Sequence, residues 1–329
     1  MKLRILVTGG GGQVAQGVLY GLENTDLDID IYLGGNDPYS IELHNRNNSI
    51  LMCNVADERY VGDLIGIINK YKIDVLIPTI DSEILKIAHA KNEIERNTGC
   101  KVLVGNIDAV EITSDKEKTI HFLKEYGFSH PLTETLGQGG FESFLAKSGF
   151  PCIIKSRFGN ASKEVYLVKS KKEALRWIGN SDYLIQELLD PNEGEFTTGI
   201  YTDKHGVTIG SCTLKRSLVN GGTQIGERVI DSVLEEPLLR MAKSLGLSYL
   251  NIQSMKVGGI LVPFEFNGRF SGTTGMISGV FNGPELYIRE HVLNQRLKPV
   301  INSHKFFVSR GSYFGFFGQE QVDSLKTNI

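Results

Sequence analysis

Residues 251–275 read NIQSMKVGGILVPFEFNGRFSGTTG, and this stretch is the most informative part of the chain. Apolar and polar residues alternate along its second half, which is the pattern of a β-strand that repeats its facing every second residue. Glu265, Asn267 and Arg269 therefore project from one face of that strand. A second predicted strand precedes it, and Gly258-Gly259 between the two is a hairpin signal. The stretch predicts a β-hairpin with one polar face.

The register of the hairpin decides whether Gln253 shares the polar face. Gln253 would have to stand opposite Glu265, twelve residues further on. In a regular hairpin this offset needs a loop with an odd number of residues. We therefore predict a three-residue loop in which Val257 pairs with Leu261. A two-residue loop would set Gln253 opposite Phe264 and out of the polar face.

The polar face offers ligands for a hard cation. The Glu265 carboxylate and the carboxamide oxygens of Gln253 and Asn267 suit magnesium better than zinc, because Mg²⁺ prefers oxygen ligands. No Cys or His joins the cluster. Phe264 and Phe266, on the other face, are predicted to pack into the core. The residues predict a site for a magnesium-bound phosphate, and the alternative is a polar strand face that only meets water.

This segment resembles the metal-binding strand pair of the ATP-grasp family, in the branch of the carbamoyl phosphate synthase large chains. In that family a Gln on one strand is followed by Glu-x-Asn-x-Arg-Phe-Ser-Gly on the next. Here Gln253 is followed by the same residue types at 265–272. Gly268 departs from the family, which usually has Pro at this place.

Length and composition favour two domains. The chain has 329 residues, of which 41% are hydrophobic, and this suits about two units of roughly 150 residues. Predicted strands alternate with helices over residues 1–110, which indicates a parallel sheet and an α/β fold. The resemblance implies a Rossmann-like pre-ATP-grasp domain there. It also implies a two-lobed α+β ATP-grasp domain at 111–295, with lobes at about 111–186 and 187–295, and a C-terminal extension at 296–329.

Composition argues against several other classes of protein. The formal net charge is −3 and no long basic run occurs, so we expect no nucleic-acid binding. The four cysteines stand far apart without a Cys-x-x-Cys pair, so they predict neither a disulfide framework nor a zinc site. No signal-peptide core and no apolar run of about 18 residues occurs, so we expect no membrane contact and a cytoplasmic protein.

A glycine-rich turn near the start carries a second signal. Gly10, Gly12 and Ala15 fit the G-x-G-x-x-A form of the dinucleotide fingerprint, and Asp37 lies at about the distance of a ribose-binding acid. A NAD(P)-dependent oxidoreductase is therefore one alternative, although no Tyr-x-x-x-Lys pair follows in the chain. The other interpretation is a turn that lets a helix approach the sheet.

The resemblance implies that the strand ends of the first domain face the acceptor substrate. Thr79, Asp81 and Glu83 follow a predicted strand, where ligands of open α/β sheets usually bind. The predicted substrate site adds to these three Gly10, Gly12 and Ser271. The implied substrates are a small carboxylate and an amine.

Two lysines resemble the nucleotide-binding lysines of the family. Lys116 follows Ser114, a predicted helix cap, and a helix N-terminus favours anions. Lys155 interrupts a buried strand, so it must either reach solvent or meet an anion. The family has a glycine-rich loop that closes on phosphate at the place of residues 156–164. Here the loop keeps a single glycine, and Ser162 is the predicted phosphate donor within it.

The resemblance implies the remaining contacts to ATP. Glu187 and Leu189 would meet the adenine edge, and Glu195 would meet the ribose. Lys215 and Arg216 adjoin on a predicted strand, where neighbours point to opposite faces, so only one of them can face the site. The predicted catalytic cations are Arg269, Lys215 and Arg216.

The implied activity is that of an ADP-forming ligase. A substrate carboxylate attacks the γ-phosphate of ATP, and an amine or other nucleophile then displaces phosphate from the acyl phosphate. ATP and Mg²⁺ are the implied cofactors, with Mn²⁺ as a substitute, and the resemblance is compatible with a homodimer. The alternatives are the phosphorylation of bicarbonate or carbamate, an ATP-binding regulatory module without turnover, and the oxidoreductase.

Overall fold

A computed structural model of the chain describes residues 2–137, 139–159, 164–311 and 319–326. The first of its three sheets has five parallel strands in the order β3-β2-β1-β4-β5. These strands are β1 (Leu3–Val7), β2 (Ile29–Gly35), β3 (Ser49–Leu51), β4 (Val75–Ile77) and β5 (Lys101–Val102). The helices of this part are α1 (Gln13–Glu23), α2 (Ile41–His44), α3 (Tyr60–Tyr71), α4 (Asp81–Thr98) and α5 (Ile107–Ser114).

A small antiparallel sheet follows, in the order β6-β9-β7-β8. Its strands are β6 (Thr133–Thr135), β7 (Cys152–Ser156), β8 (Val165–Val168) and β9 (Tyr183–Glu187). The helices beside it are α6 (Lys116–Glu125), α7 (Gly140–Leu145) and α8 (Lys171–Ala174).

The third sheet is antiparallel and larger, in the order β14-β13-β10-β11-β12-β15. Its strands are β10 (Glu195–Thr202), β11 (Thr208–Val219), β12 (Gly222–Val229), β13 (Tyr249–Val257), β14 (Ile260–Asn267) and β15 (Phe307–Ser309). The remaining helices are α9 (Ser232–Leu245), α10 (Thr274–Ile277), α11 (Gly283–His291) and α12 (Gln319–Lys326). The predicted fold class, a parallel α/β unit followed by two α+β lobes, is confirmed.

The last strand of the large sheet comes from the predicted C-terminal extension. β15 pairs with β12, with Val308 opposite Gly226, so residues beyond 295 contribute to the sheet. Residues 312–318, which hold most of the aromatic side chains of that extension, lie outside the described residues. Within the described part of the chain, no helix is both long and apolar enough to cross a membrane.

An apolar cluster joins the parallel sheet to the second unit. Val18 of α1 belongs to the same buried cluster as Phe270 and Tyr287. Gly17 of α1 lies against Gly275 of α10, and a Cβ on Gly17 would come within 2.9 Å of the Gly275 backbone nitrogen. Glycine is therefore required at position 17 for this close approach, and α1 packs the parallel sheet directly onto the second unit.

The turn of the β13–β14 hairpin is shorter than predicted. Val257 pairs with Ile260 across the two residues Gly258 and Gly259. Both glycines have positive φ angles, 58° and 83°, which suit a two-residue turn whose twist matches that of the strands. The predicted three-residue loop, with Val257 opposite Leu261, is therefore wrong.

A bulge on β14 restores the predicted facing. Ser254 pairs with Pro263, but the next pair is Gln253 with Glu265, so Phe264 is an extra residue on this strand. Pro263 has no N–H group to donate to the ladder, which favours an irregularity at this place. The predicted pair of Gln253 and Glu265 is confirmed, although the bulge and not the loop length produces it.

Candidate active site

A cleft between the small and the large sheet holds a cavity of about 640 Å³. Pockets for small molecules usually measure about 300–1,000 Å³. Its ionisable lining residues are Lys116, Lys155, Glu164, Glu187, Glu195, Arg216 and Glu265. Its apolar lining includes Ile153, Val165, Leu189, Met255 and Phe264.

A second cavity of about 330 Å³ adjoins the first. Arg216, Gly221, Gln253 and Glu265 line both cavities. The second cavity is closed on one side by the glycine turn and the start of α4, and on the other by the polar face of β13 and β14. Ligands in the two cavities would therefore meet at Glu265.

Lys155 of β7 is a buried cation in the first cavity. Its Nζ donates to Gln186 Oε1 at 3.0 Å and to the Phe264 backbone carbonyl at 3.3 Å. Gln186 donates in turn to Thr133 Oγ1 at 2.8 Å. Burial lowers the pKa of Lys155 to about 8, against the opposing effect of the Glu265 carboxylate. The hydrogen-bond partners of Lys155 among the described residues are thus neutral, and an anion would stabilise its charge.

Lys116 opens α6 and lines the same cavity. Its Nζ donates to the Gly159 backbone carbonyl at 2.7 Å. Burial lowers the pKa of Lys116, and the Glu265 carboxylate acts in the opposite direction. The two predicted nucleotide lysines and Glu265 therefore share one electrostatic environment.

The cap of α6 differs from the prediction. Asp115 accepts a hydrogen bond from the backbone N–H of the helix at 3.0 Å, whereas Ser114, the predicted cap, ends α5. Arg157 donates to both oxygens of Asp115, at 2.7 and 2.6 Å. The carboxylate of Asp115 therefore caps α6 and pairs with Arg157 at the same time.

Glu265 and Asn267 have the donor chemistry of a magnesium site. Among the described residues, no hydrogen-bond donor reaches the Glu265 carboxylate, and Asn267 uses only its Nδ2, towards Asn251 Oδ1 at 3.4 Å. One carboxylate and one amide oxygen, completed by phosphate oxygens and water, form a set that Mg²⁺ accepts. The described part of the chain holds no group of three His, Cys, Asp or Glu that could bind a metal unaided. A metal ion held by Glu265 and Asn267 would need further oxygen ligands from a bound molecule or water.

Gln253 is engaged elsewhere, although it was predicted as a third metal ligand. Its Oε1 accepts from Arg216 Nη2 at 2.7 Å. The Arg216 guanidinium is also ion-paired with Glu195, the predicted ribose ligand. An oxygen bound to a guanidinium is a poor metal ligand because the two cations repel each other. Arg216, Glu195 and Gln253 thus form one hydrogen-bonded network. Arg216 and Gln253 belong to the common wall of the two cavities, because they line both.

Lys215 does not reach either cavity. It is exposed, stands opposite Phe196 of the apolar core and packs beside Gly194. Arg216, the next residue, lines both cavities. Of the two predicted catalytic cations on β11, strand alternation therefore brings Arg216 to the site and turns Lys215 away.

Arg269 and Asp81 form an ion pair between the two units. Arg269 Nε donates to Asp81 Oδ1 at 2.6 Å, and its Nη1 donates to the Phe270 backbone carbonyl at 2.6 Å. Asp81 is the first residue of α4, and both charged residues line the second cavity. A predicted catalytic residue and a predicted substrate residue thus lie in direct contact.

Glu83, predicted to bind substrate, is a structural residue. It is fully buried, and its Oε1 accepts from the backbone N–H groups of Thr79 at 2.9 Å and Ile80 at 3.3 Å, and from the Thr8 hydroxyl. Its Oε2 accepts from the Tyr60 hydroxyl at 2.6 Å. Burial raises the pKa of Glu83, and these hydrogen bonds oppose that effect. The prediction for Glu83 is wrong because its oxygens are consumed inside the domain.

Some of the other predicted substrate residues line the second cavity, and one packs inside the first domain. Gly12, Thr79 and Ser271 line the second cavity. Gly10 does not, since its N–H donates to the Gly34 backbone carbonyl at 2.8 Å and its Cα packs against β2 and α2. Gly10 therefore serves the approach of the turn to the sheet.

The predicted adenine residues lie at the end of β9. Glu187 and Leu189 both line the first cavity, but the Glu187 carboxylate accepts from the Leu132 backbone N–H at 2.6 Å. This side chain therefore ties β9 to the preceding segment. Ser162, the predicted phosphate donor, lies outside the described residues.

Several residues of the site were missed. Phe264 was predicted in the core, but the bulge turns it into the first cavity, where its ring lies 5.8 Å from Lys155 Nζ. Phe266 does pack into the core, with its ring 6.2 Å from that of Phe122. The sequence patterns did not identify Gln186 or Asn251 as residues of the site. Asn251 carries a usable signal, because it precedes Gln253 by two residues and so shares its face of the strand.

Comparisons with known sequences identify proteins that the chain resembles. Residues 5–103 match the family model described as the PylC-like N-terminal domain. A carbamoyl-phosphate synthase of Methanobrevibacter smithii is 24% identical over 265 residues, which cover 75% of this chain and 72% of that protein. Two carbamoyl phosphate synthase large chains also match, and the chain spans only 29% and 27% of their lengths.

Solved structures share the fold. N5-carboxyaminoimidazole ribonucleotide synthetase from Thermus thermophilus matches with a TM-score of 0.68 at 16% identity, over 90% of this chain and 79% of that one. The biotin carboxylase domain of Hydrogenobacter thermophilus 2-oxoglutarate carboxylase, in complex with magnesium-ADP and bicarbonate, matches with a TM-score of 0.68 at 14% identity, over 89% and 70%. The predicted resemblance to the ATP-grasp family, in its carbamoyl phosphate synthase branch, is confirmed, and the chain has the ATP-grasp fold.

Proposed function

We propose that the chain is an ADP-forming ligase that activates a carboxylate as an acyl phosphate and couples it to an amine. The observation that carries this proposal is the common wall of the two cavities, to which Arg216, Gln253 and Glu265 belong. A nucleotide in the larger cavity and an acceptor in the smaller one would meet at Glu265. Phosphoryl transfer between two substrates requires such a meeting point, because the reacting atoms must approach in line.

The larger cavity suits ATP. Its apolar side chains can cover a purine ring, and Lys116 and Lys155 can pair with phosphate oxygens through charge-assisted hydrogen bonds. Glu265 and Asn267 would hold Mg²⁺, or Mn²⁺ in its place. When bound, the ion would neutralise charge on the phosphates and orient them.

The proposed reaction has two steps. A carboxylate oxygen of the acceptor attacks the γ-phosphorus, the bond to the bridging oxygen breaks, and ADP leaves. The amine then attacks the acyl carbon, phosphate leaves, and the amine loses a proton. Lys155 and Arg216 lie where they can balance the negative charge of the transferring group.

Phosphorylation of bicarbonate or carbamate is the second candidate. The names of the sequence relatives favour it, and so does the bicarbonate bound in one fold relative. The volume of the second cavity, about 330 Å³, is in the range of pockets for organic molecules and favours a larger acceptor. The cavity therefore ranks an organic carboxylate first.

An ADP-release screen tests the proposal. Purified protein with magnesium-ATP is assayed against amino acids, other small carboxylates and bicarbonate, each with and without a panel of amines. We expect ADP release that depends on one carboxylate and is completed to product by one amine. Release with bicarbonate alone would support the second candidate. ATP binding without release under any condition would support a regulatory module.

Two adjacent residues provide a matched pair of variants. Arg216→Met removes a cation from the common wall, and we expect ADP release to fall at least about tenfold, since a hydrogen bond to a charged group contributes about 1.5–3 kcal/mol. Lys215→Met removes the same charge from the opposite face of the strand and should leave ADP release unchanged. Equal losses of ADP release in both variants would contradict the role of Arg216 in the common wall of the two cavities.

Dinucleotide binding separates the ligase from the oxidoreductase. Gly12, just before α1, lines the second cavity. The β11–β12 turn lies close to the start of α1, since a Cβ on Gly222 would be 2.6 Å from Gln13 Oε1. We therefore expect no saturable binding of NAD(H) or NADP(H). A micromolar affinity for either dinucleotide would support the oxidoreductase instead.

We further propose that the protein acts on small-molecule substrates only and is located in the cytoplasm. The proposed function is compatible with a homodimer.

A further inference from the structure

The Asn267 carboxamide can bind a metal in only one of its two orientations. The group has a carbonyl oxygen on one side and an NH₂ on the other, and only the oxygen is a ligand for Mg²⁺. A rotation of the amide by half a turn would present two N–H groups to the cation. Something in the fold must therefore decide which side faces the second cavity.

Asn251 stands directly opposite Asn267 on the neighbouring strand. It is buried, with 1% of its surface exposed. Its Nδ2 donates to Thr197 Oγ1 at 2.8 Å and to the Thr198 backbone carbonyl at 3.4 Å. A backbone carbonyl can only accept a hydrogen bond. The NH₂ of Asn251 is therefore directed to β10, and its Oδ1 is directed to β14.

The orientation is passed on to Asn267. Its Nδ2 donates to Asn251 Oδ1 at 3.4 Å, so its own Oδ1 points away from Asn251. Asn267 and Glu265 both line the second cavity. The reversed amide would set the oxygens of Asn267 and Asn251 against each other in a buried place, where an unpaired acceptor is costly.

From this series of contacts we propose that Asn251 is a positioning residue, which orients the Asn267 carbonyl oxygen towards the metal. Asn251 also lines the second cavity, but its carboxamide is engaged by Thr197, Thr198 and Asn267. The inference rests on the proposed magnesium site of Glu265 and Asn267. It adds a hydrogen-bond relay that begins at the backbone of β10 and ends at a metal ligand.

The test measures Mn²⁺ binding to the complex of the protein with ADP, by electron paramagnetic resonance. Asn251→Leu keeps nearly the same volume and removes both the donor and the acceptor. We expect the dissociation constant of Mn²⁺ to rise about tenfold or more, because groups that orient metal ligands are worth about 10–100-fold in affinity. Binding of ADP without metal should not change.

A double-mutant cycle separates orientation from structure. Asn267→Asp places an oxygen on both sides of the group, so its orientation no longer matters. In that background Asn251→Leu should cause no further loss of Mn²⁺ affinity, and it should even raise the affinity, because it removes an oxygen that faces the new carboxylate. An equal loss in both backgrounds would overturn the proposal, since a structural role adds independently of the ligand.

Two more variants control for a general disturbance of the strand and for a failure to fold. Ile252→Val alters the same strand on its opposite, core-facing side and should leave Mn²⁺ affinity unchanged. If Asn251→Leu does not fold, Asn251→Ala removes the same donor and acceptor with a smaller side chain. It should also weaken Mn²⁺ binding, and normal Mn²⁺ affinity in this variant would contradict the relay.

Glu265→Gln separates the metal site from the positioning role of Asn251. If it leaves Mn²⁺ affinity unchanged, the proposed metal site itself is wrong. If it weakens Mn²⁺ binding while both Asn251 variants bind normally, the site stands and only the positioning role of Asn251 fails.

Discussion

Two glutamates illustrate how differently the fold uses the same side chain. Glu265 on β14 and Glu83 in α4 were both predicted to bind ligands. Among the described residues, Glu265 receives no hydrogen bond and faces the charges of Lys116 and Lys155. Glu83 is fully buried and accepts hydrogen bonds on both oxygens. A carboxylate is available to a ligand only when its own fold leaves it without donors.

The local backbone explains this difference. The first N–H groups of a helix have no partner within the helix, and Glu83 in the first turn of α4 reaches back to the N–H groups of Thr79 and Ile80. Side chains of a β-strand stand roughly perpendicular to the sheet, away from the neighbouring backbone N–H groups. The Glu265 carboxylate on β14 is therefore directed into the cleft.

Glu265→Gln should have the largest effect on turnover. The variant loses the one carboxylate of the metal site without a change in volume, and we expect ADP release to fall at least about a hundredfold. Thermal stability of the free protein should decrease only slightly, because Glu265 makes no hydrogen bond within the described residues and only its electrostatic effect on Lys116 and Lys155 is lost. Near-normal ADP release would remove the metal assignment.

Lys155→Met should weaken ATP binding by roughly tenfold or more. A buried hydrogen bond to a charged group contributes about 1.5–3 kcal/mol, and Lys155 has only neutral hydrogen-bond partners in the described residues. Calorimetry of ATP binding measures the effect. Unchanged affinity would mean that Lys155 serves only to hold Gln186 and the Phe264 backbone.

ATP affinity should also depend on pH through Lys155. In the free protein burial lowers the pKa of Lys155 to about 8, and ATP favours the charged form. Below pH 8 the lysine already holds its proton, so this group adds no pH dependence. Above pH 8 binding must take up a proton, and affinity should fall by at most about tenfold per pH unit. Calorimetry at pH 9 in buffers of different ionisation enthalpy measures the uptake, and Lys155→Met should remove the share that belongs to Lys155.

Glu83→Gln should have the smallest effect on turnover and a clear effect on stability. The Gln amide can keep its oxygen towards the Thr79 and Ile80 N–H groups only if its NH₂ replaces the oxygen that accepts from the Tyr60 hydroxyl. The buried hydroxyl then loses its charged acceptor, which costs about 1–3 kcal/mol of unfolding free energy. Denaturant unfolding and ADP release are measured on the same sample. Loss of ADP release at unchanged stability would mean that Glu83 binds substrate, and the two glutamates would then not differ in role.

Local patterns were enough for much of the site. Strand alternation placed Glu265 and Asn267 on one face, and an interrupted apolar run identified the buried Lys155. Alternation also stated that only one of Lys215 and Arg216 can face the cleft, but it could not say which. That choice depends on the strands beside β11, and these are set by contacts between residues distant in the chain.

The α/β class, the alternation of strands and helices in the first domain and the residue types of the proposed nucleotide site follow from local patterns, because periodicity and short motifs are local properties. The bulge at Phe264, the engagement of Gln253 by Arg216, the burial of Glu83 and the proposed relay through Asn251 depend on the tertiary structure. Each of these depends on which donor lies within about 3 Å of which acceptor. Such distances follow from the packing of whole sheets and helices, which no single stretch of sequence encodes.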